Sequence, residues 1–259
     1  MTPRILFIHS FRGHPSDFGL DATLREIYGP DNVACPELGT AGLYRAGRIA
    51  LWVILFLAVA VSVVCVICLR LTLMSAIAVV GSFCSGILIA ALVVDGLAAW
   101  ALHKAKKIAR EHYDRLQPNV IVATGAGAFA LRKLRRPKTA VLLVRPGVIQ
   151  FERYTGRQDR GSNQLERVII EEIGRWSNYP YVLIVEEEGA KHLGDQAKLQ
   201  RRMDPSRSRL LLFEPNTISQ GISSTDLQGL IHEVYERGKC EAAELAISAP
   251  DAAIPVQMF

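Results

Sequence analysis

Asn119-Val120-Ile121-Val122-Ala123-Thr124-Gly125-Ala126-Gly127-Ala128 is the stretch on which the fold turns. Four successive apolar residues, entered from a polar one and left through two glycines, predict a buried strand that ends in a tight turn. A strand covered on both faces needs no alternation of polar and apolar residues, and this one has none. The turn leads into a helix expected to reach about Leu134. Upstream, Leu97 to Leu116 reads as an amphipathic helix with Lys and Arg on one side, continuing without a break from the apolar sequence that ends at Val94; downstream, Thr139 to Val144 is a second strand, closed by Pro146-Gly147. Helix, strand, helix and strand in succession imply a parallel sheet.

The same alternation extends to both ends. Arg4-Ile5-Leu6-Phe7-Ile8-His9 predicts a first strand, followed by a Gly/Pro/Ser-rich turn from Ser10 to Asp17 and a helix over Asp17 to Tyr28. Asn32-Val33-Ala34-Cys35 is a second, short strand stopped by Pro36. Beyond Pro146, a polar loop from Phe151 to Gly161 precedes an expected helix, Ser162 to Trp176. Strands follow at Tyr181 to Val185 and Leu210 to Phe213, with a basic loop between them around Arg201 to Arg209. Ser223 and Asp226 stand at capping-box spacing for a last helix, Thr225 to Arg237. The tail after Glu241, with Pro250 and Pro255, reads as unpacked. The expected fold is therefore α/β, a mostly parallel, doubly wound sheet covered on both faces. No internal repeat or low-complexity segment is visible.

Of the 259 residues, 50% are hydrophobic and 21% charged, which excludes a disordered chain. The apolar excess is concentrated. Between Ile49 and Val94 the only charged residue is Arg70. Ile49 to Leu69 and Leu71 to Val94 are each long enough to cross a bilayer as a helix, which takes ~20 residues. Neither carries the polar stripe that a soluble core helix keeps. They predict a two-helix transmembrane hairpin turning near Arg70 and Thr72. Arg45 and Arg48 precede it, and Lys104, Lys106, Lys107 and Arg110 follow it. Positive charge at both outer ends places both on the positive-inside face, so the sequence on either side of the hairpin shares one compartment and folds together. Trp52 and Trp100 fall near the expected interface. Gly81, Ser82, Ser85 and Gly86 put small residues on one stripe of the second helix, where another helix approaches closely. That neighbour is either the first helix of the hairpin or another subunit. Asp95 reads as an interfacial polar end.

Three stretches carry a family likeness: Ile5 to Gly13, Val120 to Leu131 and Ala140 to Gly147. Together they resemble the α/β-hydrolase family, especially its small esterase-like members. The first is similar to that family's leading strand and His-Gly-Phe type oxyanion turn. The second is similar to the strand, nucleophile elbow and following helix, and the third to the strand after it. The resemblance covers residues 1–40 and 97–240. It implies a nucleophile at the centre of Ala123-Thr124-Gly125-Ala126-Gly127, but Gly125 stands there and has no nucleophilic atom. It implies an acid after the strand at Tyr181 to Val185, where Glu186, Glu187 and Glu188 stand. That run reads as a solvated loop, with Glu187 as the remnant acid. It implies a His after the last strand, but Asn216 and Thr217 occupy that place. Without nucleophile and base, the covalent step and the proton transfer are lost together.

Other motifs carry little chemistry. Gly125-Ala126-Gly127 lacks the third glycine of a dinucleotide fingerprint and the Lys of a P-loop. His9 and His14 have no Cys or acid at metal spacing, and Cys65 and Cys68 read as small hydrophobes between apolar neighbours. The basic cluster around Arg132, Arg135 and Arg136 has no interleaved aromatics, so it suits anionic lipid or an acidic partner surface better than nucleic acid.

The expected organisation is residues 1–48 as the first part of a hydrolase-like domain, 49–95 as the hairpin, 96–240 as the remainder and 241–259 as a tail. The expected role is a non-catalytic, membrane-anchored accessory or structural subunit of a larger membrane complex, of respiratory-chain or ATP-synthase type. The inner mitochondrial membrane is the favoured setting, with a plastid or other membrane as the alternative. Expected partners are membrane lipids and other subunits, with no cofactor, metal or nucleic acid. Two other readings compete. One is a hydrolase of lipid-like esters using Thr124 or Ser10 as nucleophile and His192 or His232 as base. The other is a module that binds a lipid or small molecule in the vacated cleft.

Overall fold

The computed structural model describes residues 2–10, 19–68, 73–133, 139–146, 179–189, 200–201 and 203–248. Its strands are β1 (Ile5–Ile8), β2 (Val33–Ala34), β3 (Val120–Thr124), β4 (Ala140–Val144), β5 (Val182–Glu187) and β6 (Ser208–Phe213). They form one sheet in the order β2-β1-β3-β4-β5-β6, and every neighbouring pair is parallel. The helices are α1 (Leu20–Tyr28), α2 (Ala41–Cys68), α3 (Leu73–Leu116), α4 (Thr217–Gln220) and α5 (Ser224–Ser248). The α/β class expected from the sequence is the class found.

Alternate residues of the central strands point to opposite faces, and both faces are packed. Ile5, Phe7, Val122, Leu142, Leu183 and Val185 meet Leu20 and Leu24 of α1 and Leu227, Ile231 and Val234 of α5. Leu6, Ile8, Ile121, Ala123, Leu143 and Ile184 meet Ala105, Ala109 and Tyr113 of α3. Burying each of the large aliphatic side chains contributes roughly 1.5–3 kcal/mol. Ala101, Ala105 and Ala109 recur every four residues and are fully buried, so α3 lies close to the layer beneath it. At its foot the Tyr113 hydroxyl bonds Thr139, whose own hydroxyl donates to Pro118 O at 3.1 Å. The polar atoms of this contact are therefore satisfied without water.

Residues 125–133 depart from the expected α-helix and wind as a 3-10 helix, Gly125–Lys133. The capping box expected before α5 is present: Asp226 N–H donates to Ser223 Oγ at 3.1 Å, and Ser223 Oγ donates back to Asp226 Oδ2 at 2.6 Å. That helix runs on to Ser248, so the chain just beyond Glu241, expected to be unpacked tail, is helical. The expected helix Ser162 to Trp176 and the loop before it lie outside the described residues.

The expected pair of membrane spans is met in part. Among the described residues one helix, Arg45–Cys68, is long and apolar enough to cross a membrane, with mean hydropathy 3.1 over its most apolar window. The apolar part of α3, Ala76–Ala90, falls short of the length required. Gly81, Ser82, Ser85 and Gly86 lie within this stretch, and residues 69–72 lie outside the described part. The expected continuity of this segment with the helix at Leu97 to Leu116 is observed, since α3 is unbroken over 44 residues. The two helices pack antiparallel. A Cβ on Gly86 would lie 3.1 Å from Ala58 Cβ, and one on Gly47 would lie 2.6 Å from Leu97 Cδ1. Among the described residues, all the exposed large apolar side chains except Leu212 lie on this pair, among them Phe56 at 72%, Ile67 at 70% and Ile87 at 69% exposure. An apolar patch of that extent marks a surface that meets lipid or protein rather than water.

Candidate functional site

In a sheet of this order the chain reverses its winding between β1 and β3, and ligands of such folds bind outside the carboxyl ends of the strands near that point. The strand ends bring together His9 after β1, Thr124 and Gly125 at the end of β3, Arg145 after β4, and Glu186 and Glu187 closing β5. The crevice between β1 and β3 is closed by backbone. A Cβ on Gly127 would lie 2.3 Å from His9 O and 2.8 Å from Ile8 O, so only glycine fits there. Gly125 takes φ 51, the left-handed region where glycine meets no steric cost.

His9 is buried at 2% exposure, and both ring nitrogens are engaged. Leu38 N–H donates to Nε2 at 3.2 Å, so Nε2 carries the lone pair. Nδ1 then carries the proton and donates to Ser10 O at 2.8 Å. The imidazole ties the segment after β2 to the end of β1, and its position serves structure. The Thr124 side chain is buried, at 4% exposure.

Arg145 is the residue that sequence reasoning missed. It holds φ 47, uncommon for a residue with a Cβ. Its N–H donates to Val185 O at 2.8 Å, which fixes the turn against β5. Its guanidinium places Nε 3.7 Å from Glu186 Oε1 and Nη2 3.8 Å from Glu187 Oε2. Glu186 is fully buried and Glu187 nearly so. The run of three acids is therefore not the solvated loop expected: two of them end a central strand, and only Glu188 is exposed. Glu186 Oε1 accepts Glu187 N–H at 3.0 Å, while Glu186 Oε2 has no hydrogen-bond partner among the described residues. Burial pushes the Glu186 carboxyl above its ordinary range; the Glu187 N–H and then Arg145 oppose that shift. A signal for this cluster was present: a basic residue after one strand and acids after its parallel neighbour meet at the same edge.

Of the positions where the resemblance implied a triad, Gly125 is a turn residue and Glu187 is paired with Arg145. Asn216 takes φ 68 and begins the short helix α4, of which Thr217 is the first residue. None of them forms a nucleophile–base contact among the described residues. His232 lies on α5 in a cleft of about 590 Å³ with Pro3, Tyr28 and Tyr235. Pro3 precedes β1, so this cleft opens toward the amino end of the sheet, away from Thr124 and Ser10. His192 and His14 lie outside the described residues.

On the helical pair, Gly81, Ser82, Ser85 and Gly86 line an open groove of about 620 Å³ with Leu57, Ala58 and Val61 of α2. Gly86 touches α2, whereas a side chain on Gly81 would meet nothing within 4 Å. Ser82 Oγ donates to Ala78 O at 2.8 Å within α3. Arg135 and Arg136 lie outside the described residues, and Arg132 belongs to the 3-10 helix. Among the described residues no three His, Cys, Asp or Glu side chains gather as metal ligands. No protein-family model, curated protein or solved structure matches this chain.

Proposed function

We propose that this chain is a non-catalytic, membrane-anchored subunit of a larger membrane complex. Its α/β domain would be an inactive relative of the α/β-hydrolases, carried on α2 and α3 as a two-pass hairpin in the inner mitochondrial membrane. The observation that carries the reading is the pairing of an apolar, outward-facing helix pair with a sheet edge that has lost its nucleophile. Gly125 stands at the elbow position and Gly127 closes the crevice with backbone. The cleft that holds His232 is lined by Pro3 and Tyr28 and by neither Thr124 nor Ser10, which supports the same reading against an ester hydrolase that would use this His as base. The open side of Gly81 leaves room on α3 for a helix of another subunit. Native electrophoresis after mild detergent extraction, with mass spectrometry of the band, tests it. Migration with a large assembly is expected. Migration at the size of the 28.5 kDa chain with its detergent would overturn it.

One observation favours a second reading, a module that binds a small molecule or lipid headgroup. Glu186 Oε2 is buried and lacks a partner among the described residues, and such an atom costs roughly 1–3 kcal/mol unless a donor reaches it. Native mass spectrometry of the purified protein would show a retained ligand under this reading and the bare chain mass otherwise.

A further inference from the structure

The membrane-anchored reading fixes which end of the sheet meets the membrane. Resting on that reading, we propose that the carboxyl edge of the sheet, with Arg145, Glu186 and Glu187, faces the bilayer at headgroup level. The amino edge then points into water. The partner of this edge is the polar headgroup layer of the same bilayer that holds α2 and α3.

The argument is one of connectivity. The chain leaves β2 at its carboxyl end and enters α2 shortly after. Leu38 N–H bonds the His9 ring, so the segment between them stays level with the end of β1. Lys104 Nζ donates to Gly39 O at 3.1 Å, which places Lys104 of α3 at that same level. From there α3 descends along the sheet to its amino edge, where Asn119 N–H donates to Arg4 O at 2.8 Å. The part of α3 up to Trp100 therefore projects beyond the carboxyl edge, alongside α2. Trp100 is the last large exposed apolar side chain of α3 among the described residues, at 53% exposure, and Leu102 already packs against the core between α3 and the sheet. Four residues of helix rise about 6 Å, so the edge sits within roughly one turn of the last exposed apolar side chain. Indole and cationic side chains are the ones that settle in the headgroup zone. Trp100, Lys104 and the exposed Arg45 occupy this level. A molecule reaching the Arg145–Glu186–Glu187 cluster would come from the headgroup layer, whereas the cleft with His232 opens to the aqueous side.

The test uses the full-length protein in vesicles of phosphatidylcholine and phosphatidylglycerol that carry a small fraction of a headgroup-linked quencher lipid. Cys240 is exposed on α5 near the amino edge, since Gly238 packs against Ala140 at the start of β4. It serves as the far reporter. The exposed Glu188 and Glu214 at the carboxyl edge, as E188C and E214C in a Cys240→Ser background, serve as two independent near reporters. A charged maleimide dye added outside the vesicles avoids Cys65, Cys68 and Cys84 on the apolar segments. Cys35 is half-buried, with its thiol pushed up to about 11 by burial, and reacts little at neutral pH. Quenching several-fold stronger at E188C and E214C than at Cys240 is expected. Equal or stronger quenching at Cys240, in protein that floats with the vesicles, overturns the proposed orientation alone. Protein that does not float with vesicles overturns the membrane reading and the orientation with it.

Discussion

Gly127→Ala is the sharpest test of how the sheet edge is built. The added methyl carbon would lie 2.3 Å from His9 O, 2.8 Å from Ile8 O and 2.9 Å from His9 C. All three are backbone atoms of a central strand and its exit, so no flexible side-chain tip can give way. β1 pairs with β2 through Ile5 and Leu6 and with β3 along its whole length, so moving its carboxyl end disturbs the β3 ladder directly. Overpacking of this kind costs about 1–3 kcal/mol, and a clash with backbone on a two-sided strand belongs at the upper end. For a chain of this size 1 kcal/mol shifts Tm by about 2–4 °C, so a fall of roughly 6–12 °C is expected. Gly229→Ala is the matched control. It lies inside α5 with nothing within 4 Å of the new methyl group, and the better helix former should raise stability by up to ~1 kcal/mol. Thermal unfolding of both variants in the same mild detergent, followed by near-ultraviolet circular dichroism, reads the two opposite shifts. A Gly127→Ala protein melting within a degree of the parent would refute the close approach on which the closed crevice rests.

Other outcomes follow from the buried ion cluster, the helix pair and the cysteines. Arg145→Met removes the Arg145 charge from Glu186 and Glu187; breaking a buried pair costs about 3–5 kcal/mol, and the partial exposure of Arg145 reduces the expected loss to about 2–3 kcal/mol by chemical denaturation at pH 7. The Glu186 carboxyl sits above its usual 4.5 in the fold, so the folded state holds that proton more tightly than the unfolded chain. Its favourable contribution is complete below the unfolded pKa and is lost as pH rises through the folded one. The stability difference between Glu186→Gln and the parent should therefore grow in favour of the variant as pH rises from 4 to 7, and a difference independent of pH would refute this. Gly86→Ile forces α2 from α3 against the 3.1 Å approach to Ala58 and should lower the melting temperature, while Gly81→Ile should leave it unchanged. If Gly81→Ile nevertheless removes the chain from the large assembly on a native gel, the open side of the groove holds a partner helix. Cys240 should react with maleimide at pH 7.5 well before Cys35, and the Cys35 rate should still be climbing at pH 10; equal rates would contradict its burial.

The sheet was legible because its strands are short apolar runs between turn residues, a pattern that two-sided burial imposes on β1, β3, β4 and β5 alike. The unbroken α3 was legible because no Pro interrupts the sequence from Leu73 to Leu116. The 3-10 form of Gly125–Lys133 was not, and neither was the close approach of Gly127 to His9 O, between residues more than a hundred positions apart. The acids at Glu186 and Glu187 were misread for a related reason. A run of three carboxylates looks solvated until the neighbouring strand supplies Arg145, and that neighbour is decided by sheet order. The second apolar run was expected to span as fully as the first, and among the described residues its apolar helix is Ala76–Ala90.

The pairing of β1 with β3 has a consequence for how the chain is made. Ile5 finds Val120 only across 115 positions, so a nascent chain holding β1 and β2 must carry a half-built sheet with an open edge until β3 emerges. At 5–20 residues per second that delay is on the order of ten seconds. The helix pair forms within the delay and, by setting Lys104 beside Gly39, draws the two separated parts of the domain together. Each halving of the effective loop lowers the entropic cost of closure by about 0.6 kcal/mol. The helix pair thus also acts during synthesis as the clasp that lets the central strands meet.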